Sequence, residues 1–366
     1  MRFQSEEGRP LLFQLWRETL GTSLSTPTTN GFLLLMRVLL FNPENDLALA
    51  SNDPNYTPPA SARLFASDLA DFPEWWHIEK DIILPWGWSP LAVRQLQQRG
   101  VPEALLPTSA QIADYRTKAS RQTTVRLLDR LRKAWPEPFR SHLLIGESIW
   151  CETDVDVLRA IELFGSTAML KAPWSGSGRG LHPVRSLPLN EKDYTWIRRT
   201  LRLQGGVEVE PLYTNKVCDF AMEFWAENGQ VHYEGLSLFE TTEGGVYAGN
   251  LVANEAEKES RLSHYFSPTL LDEVKSHLTL LLNEAEIPNW YRGPLGVDML
   301  VVNSISSKNP SHNSYSLHPL LEINLRMTMG WVALQLQREL DEGETGIFKI
   351  DHSDGHYRAV LLKKER

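Results

Sequence analysis

A lysine at the end of an apolar run, followed at once by closely spaced glycines, sets the tightest limit on how this chain folds. The stretch is "MLKAPWSGSGRGLHPV", from Met169 to Val184. Because glycine has no Cβ, it lets backbone N–H groups approach phosphate oxygens, and serine hydroxyls add further donors. We therefore predict a phosphate-binding loop after the strand that carries Lys171. Its residues are Ser175, Gly176, Ser177, Gly178, Arg179 and Gly180.

The order of these parts excludes the commoner phosphate-binding loops. A P-loop places its lysine after the glycines, whereas Lys171 precedes them. A dinucleotide-binding fingerprint needs a third glycine that opens a helix, but Leu181 stands there and "LHPV" is typical of a strand. The chain also lacks the H-R-D and D-F-G signatures of protein kinases. A glycine-rich hairpin without a ligand remains the alternative.

Polar side chains recur on two later segments that are typical of paired strands, "GVDMLV" and "LLEINLRMTMG". Side chains alternate along a strand, so Glu322, Asn324 and Arg326 share one face, which Asp298 on the other strand could meet. Two carboxylates and a carboxamide suit Mg²⁺, which leaves its other positions to phosphates and water. Arg326 could stabilise a phosphoryl group in transfer. The alternative is a solvated sheet face with an incidental ion pair.

Taken together, Lys171 with its glycine loop and the later "GVDM" and "EINLRMTMG" segments resemble the ATP-grasp superfamily. The resemblance rests on the order and spacing of several motifs, from about Lys118 to Gly330. It implies an α+β fold, the ATP-grasp fold, in which two α+β subdomains clamp ATP behind a small, Rossmann-like α/β lobe. One departure is that Trp174 and two serines stand where many relatives carry a denser glycine run.

The resemblance also implies roles for individual residues. Lys171 is similar to the strand lysine on the α- and β-phosphates, and Lys118 to a second nucleotide-contacting lysine. Glu208 or Glu210, in "VEVEPLY", would approach the adenine or ribose, and residues 175 to 180 would close over the phosphates. The implied metal ligands are Asp298, Glu322 and Asn324. The implied catalytic residues are Arg326 and Lys171.

ATP-grasp enzymes mostly join a carboxylate to an amine or thiol through an acyl phosphate, which implies ATP and Mg²⁺ as cofactors here. Such chemistry needs positioning and charge neutralisation more than a protein nucleophile. The sequence shows no Ser-His-Asp or Cys-His arrangement and no His-Glu-x-x-His motif. A phosphotransferase acting on a hydroxyl, and a nucleotide-binding module without turnover, remain alternatives.

The composition of the chain limits the classes of partner that it is expected to bind. The formal net charge of -9 gives no basic footprint for nucleic acid, so we expect small-molecule or peptide substrates instead. Only two cysteines occur, far apart, which favours a reducing cytoplasm. The most apolar early segment, "GFLLLMRVLLF", is too short to span a bilayer and resembles no secretory signal. The oligomeric state is not predicted.

The pattern of apolar runs and turn signals divides the chain into four parts. Residues 1–35 are expected to be an extension of a chain whose natural start is Met36. Residues 36–115 alternate short apolar runs with helical stretches, as a parallel α/β lobe does. Residues 116–210 would form the subdomain with the glycine loop, and residues 211–366 the mostly antiparallel subdomain with the metal-binding strands.

Several further features carry open alternatives. The turn "NPEND", ending at Asp46, could hold an amine or amino acid, or only cap a helix. Lys258 could contact substrate or be a solvated charge. His352 and His356 flank an Asp-Gly pair that predicts a hairpin rather than a metal site. Four tryptophans, Trp75, Trp76, Trp86 and Trp88, indicate core packing more than a stacking surface. The polar stretch from Val302 to Leu317 predicts a long loop.

Overall fold

Two short parallel strands build the first lobe. The computed structural model describes residues 36–176, 180–241, 247–285, 287–304 and 314–364, so the predicted extension, residues 1–35, lies outside the described residues. Strand β1 (Val38–Leu40) pairs in parallel with β2 (Ile83–Pro85). Helices α1 (Asn45–Ser51) and α2 (Ala60–Asp68) lie between them, and α3 (Pro90–Gln98) follows. The predicted alternation of strands and helices in this lobe is confirmed.

Three helices carry the chain from this lobe towards the first large sheet. They are α4 (Ser109–Lys118), α5 (Arg121–Ala134) and α6 (Pro136–Arg140). The apolar residues of α5 recur at helical spacing, and its Leu127, Leu128 and Leu131 are buried. Pro136 ends α5 as predicted but also opens α6, because a helix tolerates proline where its first N–H needs no partner.

The first large sheet has four antiparallel strands in the order β3–β6–β4–β5. They are β3 (Ile149–Cys151), β4 (Ala168–Lys171), β5 (Leu181–Val184) and β6 (Val207–Pro211). Helices α7 (Asp154–Leu163) and α8 (Glu191–Gln204) cover one face, and the Thr153 side chain caps α7. The glycine loop joins β4 to β5, so Lys171 ends its strand where the loop begins.

The second large sheet is antiparallel, as predicted, with the order β11–β10–β7–β8–β9–β12–β13. Its strands are β7 (Lys216–Glu227), β8 (Gln230–Thr241), β9 (Tyr247–Val252), β10 (Gly293–Ser304), β11 (Ser314–Asn324), β12 (Thr345–Ser353) and β13 (His356–Lys364). Helices α9 (Glu255–Leu262), α10 (Pro268–Asn283) and α11 (Met329–Gln335) lie between them in the sequence.

Turn chemistry explains two of the hairpins in this sheet. Asn228 and Gly229 join β7 to β8 with positive φ angles, as a two-residue Asn-Gly hairpin turn requires. Asp354 and Gly355 do the same between β12 and β13, so the hairpin interpretation of His352 and His356 is confirmed. The predicted loop from Val302 to Leu317 is too long, because β10 and β11 remain paired up to Ser304 and Ser314. Backbone pairing does not depend on apolar side chains.

Aromatic side chains tie the first lobe to the second sheet. Trp76, Trp86, Trp225, Trp331 and Phe348 are buried in one cluster that draws on both. Among the four tryptophans of the lobe, Trp88 is also buried and Trp75 is partly buried. The prediction that they form core is therefore confirmed.

Leu170 tests the packing behind the glycine loop. Its side chain is 0% exposed in the core of the first sheet, one residue before Lys171. We expect Leu170→Ala to lower the free energy of unfolding in urea by about 2–5 kcal/mol, as large-to-small core changes do. Leu203→Ala, at a 58% exposed position, is the control and should change it little. Equal losses in both variants would contradict this packing.

Candidate functional site

Arg121 joins the glycine loop to the predicted metal strand. From the first turn of α5 its guanidinium donates to Ser175 Oγ at 2.6 Å and to Glu322 Oε1 at 2.6 Å. It also donates to the carbonyl oxygen of Ala172 at 2.6 Å. Burial alone would lower the pKa of Arg121, but Glu322 and Glu208 outweigh burial and raise it. A permanent positive charge therefore stands between the two sheets.

Sequence reasoning missed Arg121 and selected Lys118 instead. Lys118 lies in the last turn of α4, and its predicted nucleotide contact stays a prediction. The available signal was Ser120, which is typical of a helix N-cap and is followed directly by an arginine on the buried face. Arginine is seldom buried unless it is paired, and sequence alone does not show the partner.

Lys171 is buried at the end of β4 and is paired. Its ammonium lies 2.8 Å from Glu210 Oε2 and donates to the carbonyl oxygen of Leu321 at 3.3 Å. Burial alone would lower the pKa of Lys171, but Glu208 and Glu210 outweigh burial and raise it. The lysine is thus charged at neutral pH, as a phosphate contact requires.

Glu208 and Glu210 face these basic side chains from β6. The Glu208 carboxylate accepts a hydrogen bond from Ser148 Oγ at 2.7 Å and lies 3.8 Å from the Arg121 guanidinium. Burial raises the pKa of Glu210 against the opposing effect of Lys171. Their predicted contacts with adenine or ribose stay a prediction. In the described chain both carboxylates balance the charge of the site's cations.

The predicted metal ligands meet on β10 and β11. Asp298 and Glu322 are direct partners in the ladder, and Asn324 Nδ2 donates to Asp298 Oδ2 at 3.0 Å. Burial, and then the Glu322 charge, raise the pKa of Asp298. Among the described residues no three His, Cys, Asp or Glu side chains cluster closely enough to hold a metal alone. Two carboxylates beside a carboxamide instead fit Mg²⁺ bound largely through phosphates and water.

Arg326 pairs with Asp46, which comes from α1 of the first lobe. Nε lies 3.2 Å from Asp46 Oδ1 and a terminal nitrogen 3.1 Å from Oδ2, a bidentate pairing. Gly176 rests directly on this pair, since a Cβ there would lie 2.1 Å from Asp46 Oδ2. The loop can therefore lie this close to the Arg326–Asp46 pair only with glycine at this position.

The turn from Asn42 to Asp46 is structural in its first part. Asn42 Nδ2 donates to the carbonyl oxygen of Gly87 at 2.9 Å, and Gly87 N donates back to Asn42 Oδ1 at 3.3 Å. Asn45 packs against the same glycine. Asn42 and Asn45 are therefore engaged in contacts with Gly87 and are not available to bind an amine. Asp46 pairs with Arg326.

The glycine loop itself is described only at its ends. Ser175 lines the same cavity as Asp46, Glu322, Asn324 and Arg326, and Gly176 lies against the Asp46–Arg326 pair. Gly180 has φ +75°, and a Cβ there would lie 2.6 Å from the Ser175 Cβ, so glycine is required on both counts. Ser177, Gly178 and Arg179 lie outside the described residues.

His318 lies on β11, the strand that also carries Glu322 and Asn324, and is 1% exposed. Its ring stands edge-on to Tyr213 at 5.7 Å, and neither ring nitrogen has a hydrogen-bond partner. Burial, followed by the charges of Lys171 and Arg132, lowers the pKa of His318 to about 3. The imidazole therefore stays neutral beside the site's cations.

Comparison with known proteins shows similarity in overall fold only. No protein-family model and no curated protein sequence matches the chain. The biotin carboxylase domain of Hydrogenobacter thermophilus 2-oxoglutarate carboxylase is 12% identical over 84% of this chain and 74% of that one, with a TM-score of 0.46. N5-carboxyaminoimidazole synthetase from Staphylococcus aureus is 14% identical over 88% of this chain and 85% of that one, with a TM-score of 0.45.

An L-amino acid ligase from Bacillus licheniformis is 13% identical over 78% of this chain and 64% of that one, with a TM-score of 0.40. These similar structures are ATP-grasp enzymes. At such identities and TM-scores they assign no residue of this chain a role, so the site rests on its own geometry. No helix in the described parts of the chain is long and apolar enough to cross a membrane.

Because the buried imidazole of His318 is neutral, we predict that the folded state loses stability in acid. In the unfolded chain this histidine binds a proton near pH 6.5, but in the folded chain it does so only near pH 3. The free energy of unfolding is therefore unaffected by His318 above pH 6.5 and falls as the pH drops from 6.5 towards 3, because only the unfolded state gains the proton. The loss is roughly 1.4 kcal/mol per pH unit in that window. We expect His318→Phe to remove this part of the slope in urea unfolding at pH 7, 6 and 5.

The exposed His232 provides the control for this measurement. His232→Phe should keep the wild-type dependence of unfolding free energy on pH. If His318→Phe and wild type show the same slope, the buried neutral state of His318 is wrong.

Proposed function

We propose that this chain is an ATP- and Mg²⁺-dependent ligase that joins a carboxylate to an amine, or to a thiol, through an acyl phosphate. One observation carries the proposal. Arg121 holds Ser175 of the glycine loop and Glu322 of the metal strand at the same time, so a phosphate loop and a magnesium-type ligand set share one buried site.

Three cations are available for the triphosphate. Arg121 approaches from α5, Lys171 from β4 and Arg326 from the segment after β11. Each is 15% exposed or less at the side chain. Each is now balanced by a carboxylate, so phosphate oxygens can take over these pairings without leaving a cation unpaired. Ser175 Oγ and the backbone N–H groups of the loop add neutral donors.

Asp298, Glu322 and Asn324 would hold Mg²⁺ at this site. The ion would supply neutralisation of the phosphate charge that builds up during transfer. The chain's own part is to orient: Asn324 fixes the Asp298 carboxylate by its hydrogen bond, and Arg326 is fixed by Asp46. Arg326 would then stabilise the transferred phosphoryl group.

The chemistry proceeds in two balanced steps. A carboxylate oxygen of the first substrate bonds to the γ-phosphorus, and the bond between that phosphorus and the bridging oxygen of ADP breaks. The nitrogen of the second substrate then bonds to the acyl carbon, the carbon–oxygen bond to phosphate breaks, and the nitrogen gives up a proton. Neither step needs a protein nucleophile, so positioning and charge provide the catalysis.

Two alternatives use the same ATP residues. A phosphotransferase would move the γ-phosphoryl group to a hydroxyl, and a non-catalytic module would bind the nucleotide without turnover. The metal-type ligands and Arg326 stand together in one partly buried site, which favours a catalyst over the module, because binding alone does not need the whole set.

A hydroxylamine trap separates these three functions. Purified protein is incubated with Mg-ATP, a pool of small carboxylates and hydroxylamine, and the products are measured by mass spectrometry. We expect ADP and a hydroxamate, which reports an acyl phosphate and identifies the carboxylate by its mass. ADP with a phosphorylated alcohol would support the phosphotransferase instead. ATP binding without ADP release would favour the module.

Arg121 rather than Lys118 should dominate nucleotide affinity. We expect Arg121→Met to weaken Mg-ATP binding in calorimetry at least tenfold, since a charge-assisted contact is worth roughly 1.5–3 kcal/mol. Arg130→Met on the same helix is the control, because Arg130 is partly exposed and, among the described residues, its ion-pair partner is Glu284 at the surface. Lys118→Met measures the other predicted lysine. An Arg121→Met variant that binds like wild type would contradict the assignment.

A further inference from the structure

Arg121 divides its hydrogen bonds between the glycine loop and a predicted metal ligand. Its Nη2 lies 2.6 Å from Glu322 Oε1, where a guanidinium that is 5% exposed meets a carboxylate that is 22% exposed. Nη1 donates to Ser175 Oγ and to the carbonyl oxygen of Ala172, so both terminal nitrogens are engaged. The charge of Glu322 is therefore already balanced by Arg121 before a ligand binds.

The third nitrogen of this guanidinium lies near a second carboxylate without bonding to it. Nε of Arg121 and Oε2 of Glu208 are 3.8 Å apart, and neither buried atom has a hydrogen-bond partner among the described residues. The other oxygen of Glu208 accepts the hydroxyl of Ser148 at 2.7 Å, which holds the carboxylate in place. A movement of the guanidinium by about 1 Å towards Glu208 would pair both atoms, as buried polar atoms almost always are.

Arg121 thus has two alternative carboxylate partners on different sheets. Glu208 belongs to β6 of the first sheet and Glu322 to β11 of the second. A buried cation is costly when it loses its only counter-charge, but Arg121 keeps one at Glu208 if Glu322 leaves. The structure therefore provides a second position for Arg121 in which Glu322 is free.

The predicted metal site needs the carboxylate that Arg121 holds. Asp298 and Glu322 are direct partners in the ladder, and Asn324 Nδ2 donates to Asp298 Oδ2. Without Glu322, one carboxylate and a neutral carboxamide would balance only half the charge of a divalent cation. The guanidinium of Arg121 beside Glu322 also repels such a cation. An ion that arrives alone must therefore take Glu322 from Arg121.

The other two cations of the site do not have this connection. Their partners are Glu210 and Asp46, and neither carboxylate belongs to the predicted metal set. Phosphate oxygens that displace Glu210 or Asp46 would change the binding of phosphate alone. Among these three ion pairs, Arg121–Glu322 is the one that links a cation available for the triphosphate to a metal ligand.

We propose that Arg121 makes metal binding depend on the nucleotide: it keeps the metal site closed while it holds Glu322, and it releases Glu322 for Mg²⁺ when it binds the triphosphate. The inference rests on the proposed function, because it sets the order in which that site takes its two cofactors. Arg121 is a positioning residue in this step. Coupling between two sites is reciprocal, so Mg²⁺ also tightens the binding of the nucleotide.

Mn²⁺ without nucleotide tests whether the metal site is closed. This ion takes the same oxygen ligands as Mg²⁺, and the electron paramagnetic resonance signal of the free ion falls when it binds. We expect wild type to leave the signal unchanged at concentrations where Arg121→Met binds. The affinity of Arg121→Met for Mn²⁺ should be at least tenfold higher, since coupling between two sites is typically about 5–150-fold. The same variant loses nucleotide affinity, whereas a damaged fold would weaken both ligands.

Arg121→Lys is the second variant, because it keeps a positive charge beside Glu208 and so protects the fold. Lysine lacks the forked terminal nitrogens that reach Glu322 and Ser175, so this variant should also gain Mn²⁺ binding. Adding Glu322→Gln to Arg121→Lys should remove the gain, which locates the ion on that carboxylate. Arg130→Met, at the partly exposed arginine on the same helix, is the control and should behave like wild type.

The proposal is overturned if wild type and both Arg121 variants bind Mn²⁺ equally, whether tightly or not at all. A gain that survives Glu322→Gln overturns it as well. Failure of the proposed function is read separately, because calorimetry would then show no binding of Mg-AMP-PNP to wild type. In that event a gain of Mn²⁺ binding in the variants still supports the closure of the carboxylate pair by Arg121.

Discussion

The buried guanidinium of Arg121 is the interaction on which the site depends. It binds the base of the glycine loop, the backbone behind Lys171 and the carboxylate of Glu322, and these groups belong to two different sheets. An uncompensated arginine at this depth would be costly, so the carboxylates of Glu208 and Glu322 are needed as much as the cation is. A ligand that replaces these carboxylates must carry comparable negative charge, and a triphosphate does.

The second large sheet carries the predicted metal ligands. Strand pairing sets Asp298 beside Glu322. The predicted metal ligands thus lie on one rigid sheet, where positions are held more precisely than on loops. The first lobe contributes through Asp46, which fixes Arg326 from the opposite side.

Patterns within a few residues were readable from the sequence. Period-two alternation placed Glu322 and Asn324 on one face, and the lysine–glycine order placed Lys171 at the end of a strand beside its loop; the structure has both. The same alternation put Arg326 on that strand, but β11 ends at Asn324, so Arg326 reaches the cavity from the segment that follows the strand. Hairpins with Asn-Gly and Asp-Gly turns followed for the same reason. The sequence could not reveal ion pairs between residues that are far apart along the chain. Arg121 and Glu322 are 201 residues apart, and Asp46 and Arg326 are 280 apart. The burial of Lys258 was equally hidden, because its sequence surroundings are typical of a solvated charge.

The most direct test of the account is a crystal structure of the full chain with Mg²⁺ and AMP-PNP. The account predicts triphosphate oxygens on Arg121 and Lys171 beneath the loop at Ser175 and Gly176, a metal ion on Asp298 and Glu322, and the Arg121–Glu322 pair opened. A nucleotide bound away from these residues, with Arg121 still on Glu322, would contradict it.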